Sequence, residues 1–256
     1  MITVNVEQVV LVFLVFCRIG GFFLVMPGFS SSRVPSQVRL FLAFGITLAL
    51  APFAIVELKK FVKFPLADST LLVLAVSELV IGMAMAIGTR LLLLALQFFV
   101  SFIGLAIGMG GLPGVPIESS EPLPSIASFI SISAVVMFFV SDLHLEVVRG
   151  LLLSYSTFPT GIALDPGLFL EQLSGGLSGS YFLLLRLSAP FVIYALAINY
   201  AFGLLNKLTP QIPIYFISMP FLIAGGFGLL FLVADNILVN FNAAIKNSLL
   251  GARSPL

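Results

Sequence analysis

The sequence predicts an integral membrane protein built from five to seven helical spans, and two observations carry that prediction. Of its 256 residues, 60% are hydrophobic and 9% charged, with a mean hydropathy of +1.19. Soluble proteins average about 25% charged residues. The apolar residues also fall in runs of about twenty, the length of helix that crosses roughly 30 Å of hydrocarbon. A helix satisfies its own backbone hydrogen bonds, which an apolar surrounding demands.

Composition also excludes several functions. With 12 basic and 11 acidic residues the net charge is +1, so no basic field marks a nucleic-acid partner. Cys17 and His144 are each the sole residue of their type, which rules out a disulfide and a Cys/His metal site within the chain. No Gly-x-Ser-x-Gly elbow, Walker loop or HExxH helix is present. No catalytic residue, cofactor or metal ligand is therefore expected, and the chain does not read as an enzyme.

The first span covers 9–29 and is interrupted by Arg18, Gly20 and Gly21; the opening MITVNVEQ lacks the pattern of a cleaved signal. A polar connection at 30–39 leads to an uncharged run at 40–56, closed by Glu57, Lys59, Lys60 and Lys63. Asp68 reads as an N-cap for a third segment, 69–88, with Glu78 near its middle. Only Thr89 and Arg90 separate that segment from the apolar run 91–107. An unbroken helix over 70–107 would measure about 57 Å at 1.5 Å per residue, too long for a conventional crossing. The basic loops at Arg33/Arg39 and Lys59/Lys60/Lys63 flank one span and so give no clear orientation.

A fifth apolar run, 126–140, precedes a more polar stretch in which Asp165-Pro166 reads as the N-cap and first residue of a short interfacial helix. The sixth segment, 181–206, contains Arg186 and Pro190. The seventh, about 212–241, should be kinked or broken by Pro213, Pro220, Gly225, Gly226 and Gly228. Small residues at four-residue spacing (Gly82/Ala86, Ala84/Gly88, Gly104/Gly108) point to close helix packing.

Between the fourth and fifth runs lies GMGGLPGVPIESSEPLP, residues 108–124, with eight glycines or prolines among seventeen residues. No regular element can cross it, so it is a loop. At membrane depth such backbone survives only inside protein or beside a watery cavity, which makes the segment a candidate pore lining, gate or plug. Its candidate residues are Gly108, Met109, Gly110, Gly111, Pro113, Gly114, Pro116, Glu118 and Glu121. Four ionisable residues, Arg18, Glu78, Arg186 and Asp235, fall within apolar segments. Each costs at least about 2.5–3.5 kcal/mol at mid-bilayer, so each must pair, face a cavity or snorkel to an interface. A salt bridge between Arg18 and Glu78 is one such solution.

Taken in succession, several motifs resemble the FliR family. They are CRIGGFFLVMPGFSSSRVPSQVRLFLA at 17–43, holding Pro27, Arg33, Pro35 and Arg39; Glu78-x-x-x-Gly82; the loop running into SSEPLPSIASF; LHLEVVRGLLLSYSTFPTG at 143–161; and LLNKLTPQIPIYFISMPFLIAGG at 204–226, with Pro210 and Gln211. This family supplies a subunit of the export gate in flagellar biosynthesis and type III secretion.

The resemblance implies an all-α membrane fold of about six to seven hydrophobic helices arranged as helical hairpins in a single membrane domain. Residues 1–180 would be the FliP-like part, with a plug loop at 108–124, and 181–256 a FliQ-like helix pair. The implied partners are FliP- and FliQ-like subunits of a hetero-oligomeric gate, FlhB- and FlhA-like export components, unfolded export substrates and membrane lipid. The implied location is the bacterial inner membrane at the flagellar basal body. Relatives often carry arginine before the proline-glutamine pair, where this chain has Lys207, and the loop reads Glu118-Ser119-Ser120-Glu121 in place of a small-polar signature. A virulence injectisome subunit is an alternative reading. A small-molecule secondary transporter is another, with the broken seventh segment and Glu78 as its substrate and coupling sites.

Overall fold

The structure, a computed structural model, describes residues 6–30, 34–62, 64–111, 114, 123–160, 166–211 and 213–250. Among them are seven helices and no strand: α1 Val6–Val25, α2 Ser36–Phe61, α3 Asp68–Ala106, α4 Ser125–Val140, α5 Leu143–Thr157, α6 Pro166–Leu208 and α7 Ile214–Leu250. Five are long and apolar enough to cross a membrane, or six spans if α4 and α5 count as one broken crossing. The chain is an all-α integral membrane protein.

The backbone gathers into two compact units that share helices. One comprises Met1–Leu91, Asp142–Gly176 and Ile245–Leu256; the other comprises Leu92–Ser141 and Leu177–Ala244. In the first, α1 packs on α2, and α2 on α5. Its core holds Leu11, Leu14, Val15, Ile19 and Phe22 of α1 with Ala54 and Leu58 of α2. In the second, Leu96, Ile103 and Ile107 share the interior with Ile130 and Ala134 of α4 and Phe191 of α6.

Helix boundaries differ from the sequence expectation in four places. The segments 69–88 and 91–107 form one 39-residue helix, because Thr89 and Arg90 supply neither a cap nor a breaker. Asp68 is the first residue of that helix and not its cap, and it places its carboxylate in the first turn, where the helix dipole favours it. Pro166 does open a helix, as its fixed φ favours. The separate short helix is absent, however, since α6 continues for 43 residues to Leu208 through the glycines near 175. Finally, α7 runs unbroken past Pro220, and Gly225 and Gly226 make room for the Tyr194 and Ile107 side chains.

The motif Met26-Pro27-Gly28-Phe29 makes the corner after α1. Phe29 N–H donates to the Met26 carbonyl at 3.2 Å, and Gly28 has a φ of +84°, the combination that a proline-glycine turn of type II requires. Arg39 of α2 then donates from Nε to the Phe29 carbonyl at 2.9 Å, tying α2 to the corner. Pro35 immediately precedes α2 in extended geometry. These family-motif residues build a corner, while Pro210 and Gln211 lie exposed in the turn between α6 and α7. Arg33 lies outside the described residues.

Candidate functional site

The loop candidate begins where α3 stops. Gly108 N–H donates to the Leu105 carbonyl at 3.1 Å and Met109 N–H to the Gly104 carbonyl at 2.8 Å, with Gly108 at a φ of +80°. This pair of bonds is the Schellman motif, which satisfies the last helical carbonyls and calls for a glycine in the left-handed region. Gly108 is thus a cap, and it is also closely packed, since a Cβ there would lie 3.2 Å from a Leu222 methyl of α7. Replacing Gly108 with alanine should destabilise this end of α3 by about 1–2 kcal/mol, the usual cost of a left-handed non-glycine residue. Faster amide exchange at residues 105–109 is the measurement that checks it.

The far end of the loop is pinned to its near end. Gly114 N–H donates to the Leu123 carbonyl at 2.7 Å, bringing together two residues that flank an eight-residue span in the sequence. A Cβ on Gly114 would lie 2.7 Å from the Ser125 Cα and collide with the buried Ser128 hydroxyl, so only glycine fits there. Gly104 leaves comparable room for Ile126 at the start of α4. Met109, Gly110 and Gly111 complete the described near side, where Gly110 packs on Leu105. Pro113, Pro116, Glu118 and Glu121 lie outside the described residues. Gly114 and Leu123 thus form a neck beside α3 and α4, tight enough that a side chain on Gly114 would disrupt it.

The second feature is a fully buried ion pair in the first unit. Arg18 and Glu78 both have 0% side-chain exposure. Arg18 Nε donates to Glu78 Oε2, and Nη2 donates to Oε1 at 2.9 Å, which makes the pair bidentate. Nη2 also donates to the Phe158 carbonyl at 3.0 Å, and Nη1 to the Ser154 hydroxyl at 3.0 Å. The Ser154 hydroxyl in turn donates to the Leu151 carbonyl at 2.6 Å. The Tyr155 ring covers the guanidinium face, 4.0 Å from Cζ to the centroid. Every charge here is compensated and almost every donor is used, which is the condition under which a buried pair is tolerated.

Two glycines let this pair form. A Cβ on Gly82 would strike the Arg18 carbonyl oxygen, and one on Gly21 would strike the Leu79 carbonyl oxygen. At this crossing α1 and α3 therefore touch backbone to backbone, one helical turn from both charges.

Arg186 and Asp235 lie within α6 and α7, in the second unit, and are exposed there, because no described residue of this chain covers those surfaces. Sequence reasoning missed Ser154, Tyr155 and Phe158 as companions of Arg18. They lie within the 143–161 motif, but no spacing rule links them to a residue some 140 positions away. It also missed Tyr194, whose hydroxyl donates to the Phe221 carbonyl at 2.5 Å and packs into the space left by Gly225.

Comparison with known proteins finds sequence similarity across nearly the whole chain. Residues 9–248 match the family described as bacterial export proteins, family 1. Among similar proteins, the flagellar biosynthetic protein FliR of Caulobacter vibrioides is 25% identical over 230 residues, covering 90% of each chain. The protein of the same name from Escherichia coli is 29% identical over 209 residues, covering 80% of this chain and 76% of its own. That of Aquifex aeolicus is 26% identical over 233 residues, covering 88% and 86%. The matched range 9–248 spans nearly all the described residues, and the chain belongs to the bacterial export proteins of family 1, the FliR family.

Proposed function

We propose that this chain is a structural and gating subunit of the flagellar type III export channel. It assembles with FliP- and FliQ-like subunits in the bacterial inner membrane, beside FlhB- and FlhA-like components, and it supplies the loop 108–124 as a plug. Membership of the FliR family supports the coarser statement that it is a component of the flagellar export apparatus. One structural observation supports the finer reading: the Gly114–Leu123 hydrogen bond, which brings the described ends of a glycine- and proline-rich stretch together beside α3 and α4.

In this reading the subunit does no chemistry. Unfolded protein chains pass through a channel that the subunit helps to line, and the loop blocks ions and small solutes between export events. Glycine and proline disfavour regular hydrogen-bonded structure, and loops of that composition come from the low-stability end of a protein, so the proposed plug would move without unfolding the helices that carry it. The FliP-like and FliQ-like division at residue 181 belongs to this proposal. The transporter alternative gains nothing from the geometry, because Glu78, its coupling candidate, is already neutralised by Arg18.

Deleting residues 110–116 should make cells permeable to small solutes while the subunit still assembles. Dye or ion influx measured beside complex recovery checks this. Unchanged permeability with an intact complex would remove the plug assignment.

A further inference from the structure

A serine in an apolar helix usually satisfies its hydroxyl on the helix itself. Ser133, Ser154, Ser156 and Ser188 do so, each donating to a carbonyl three or four residues earlier at 2.6–2.9 Å. Ser101, Ser128 and Ser131 do not. Neither their hydroxyls nor the Gln97 amide nitrogen has a hydrogen-bonding partner among the described residues, and all four atoms are buried. Ser131 is 0% exposed, Ser128 4% and Gln97 7%.

The four groups fall on two stripes that meet in the second unit. Gly104 of α3 touches the start of α4, since a Cβ there would lie 2.8 Å from Ile126 Cγ2 and 3.5 Å from Pro124 Cβ. Gln97, Ser101 and Gly104 follow at steps of four and three residues, which is one stripe of α3, and Pro124, Ser128 and Ser131 repeat those steps at α4. Since α3 ends and α4 begins at this corner, the stripes lead away from it together. Ser101 and Ser128 lie about 5 and 6 Å along, and Gln97 and Ser131 both about 10 Å. They are level with each other and still not hydrogen-bonded to each other.

A buried hydroxyl or amide without a partner is costly, and level polar groups that do not bond directly are the ordinary setting of a bridging water. This chain itself buries the four atoms, so whatever binds them is small. The set is neutral, which suits water and not an ion. We propose that α3 and α4 hold a short row of ordered water molecules, bound by Ser101 and Ser128 at one level and by Gln97 and Ser131 at the next. The row ends at the neck, because the Ser128 hydroxyl is the atom nearest to a Cβ built on Gly114. The two helices that flank the loop are therefore joined here through water, whatever the chain's part in export.

Radiolytic labelling tests this on the full chain, isolated from its own cells with the subunits that accompany it. A bound water activated in place oxidises the side chains beside it. Leu93, 3% exposed and one turn from Gln97, should be oxidised about tenfold faster than Leu11, a fully buried leucine of the first unit. Gln97→Leu with Ser131→Ala should bring Leu93 down to the Leu11 rate. Ser133→Ala, which removes a hydroxyl already bonded within its helix, should leave the rate within about twofold of wild type. A wild-type density map fine enough to show ordered waters needs no variant. Water peaks within hydrogen-bond reach of Gln97 Nε2 and Ser131 Oγ are the expected result. Direct hydrogen bonds among the four side chains, serines turned onto their own helix carbonyls, or equal labelling of Leu93 and Leu11 would overturn the row.

Discussion

Alanine in place of Glu78 should destabilise the isolated chain by about 3–5 kcal/mol, the range for leaving one member of a buried pair uncompensated. Glu78 accepts two hydrogen bonds from Arg18, and among the described residues no other carboxylate pairs with that guanidinium. Removing the carboxylate strands a charge with 0% exposure against the Ser154 hydroxyl, the Phe158 carbonyl and the Tyr155 ring. Arg18→Ala should cost a similar amount, because Glu78 is then the orphan. The double replacement Arg18→Met with Glu78→Leu should cost much less than the sum, since an apolar pair of matching volume removes both desolvation penalties. Equilibrium unfolding in mixed detergent micelles gives all three values. A purely additive double mutant would mean that the pair is not coupled as the geometry implies.

Gly82→Ala should be the most damaging single-methyl addition in the first unit, costing about 3 kcal/mol as a severe case of overpacking. The new Cβ would meet the Arg18 carbonyl oxygen and approach the Phe22 amide nitrogen, which are backbone atoms that cannot rotate away. Gly21→Ala should act alike through the Leu79 carbonyl. Gly20 is an internal control one residue away, because nothing lies within 4 Å of its would-be Cβ. Gly20→Ala should be neutral or stabilising by up to about 1 kcal/mol through helix propensity. The same unfolding measurement on the three alanine variants checks the ordering. Equal effects at Gly20 and Gly21 would refute backbone contact at the crossing.

Much of this architecture was legible in the sequence, for reasons that can be named. The apolar runs, the breaker-rich segment at 108–124 and the proline opening α6 are local signals, and the structure places helices and a loop end where they indicate. The continuity of α3, α6 and α7 was harder to read, because Thr89-Arg90, the glycines near 175 and Pro220 weaken a helix without being obliged to end it. The Gly82 spacing signal found a close approach of two backbones, whereas Gly108, which carries the same signal and packs on Leu222, also proved to be a cap. Spacing on a helix says nothing about where the helix stops.

Two things were determined by the sequence alone: the membrane class, which follows from how much apolar surface the chain carries, and the FliR family, which follows from the order of its motifs. Tertiary structure alone decided which groups meet. Arg18 and Glu78 are 60 residues apart, and Ser154 lies 136 from Arg18, so no periodicity connects them. Their contact exists because Gly21 and Gly82 let two helix backbones touch beside them. Likewise Arg186 and Asp235 look in sequence like Arg18 and Glu78, each a charge inside an apolar helix. Packing buried one pair and left the other two charges exposed, because burial depends on which helix covers a face and not on the residues that make the face.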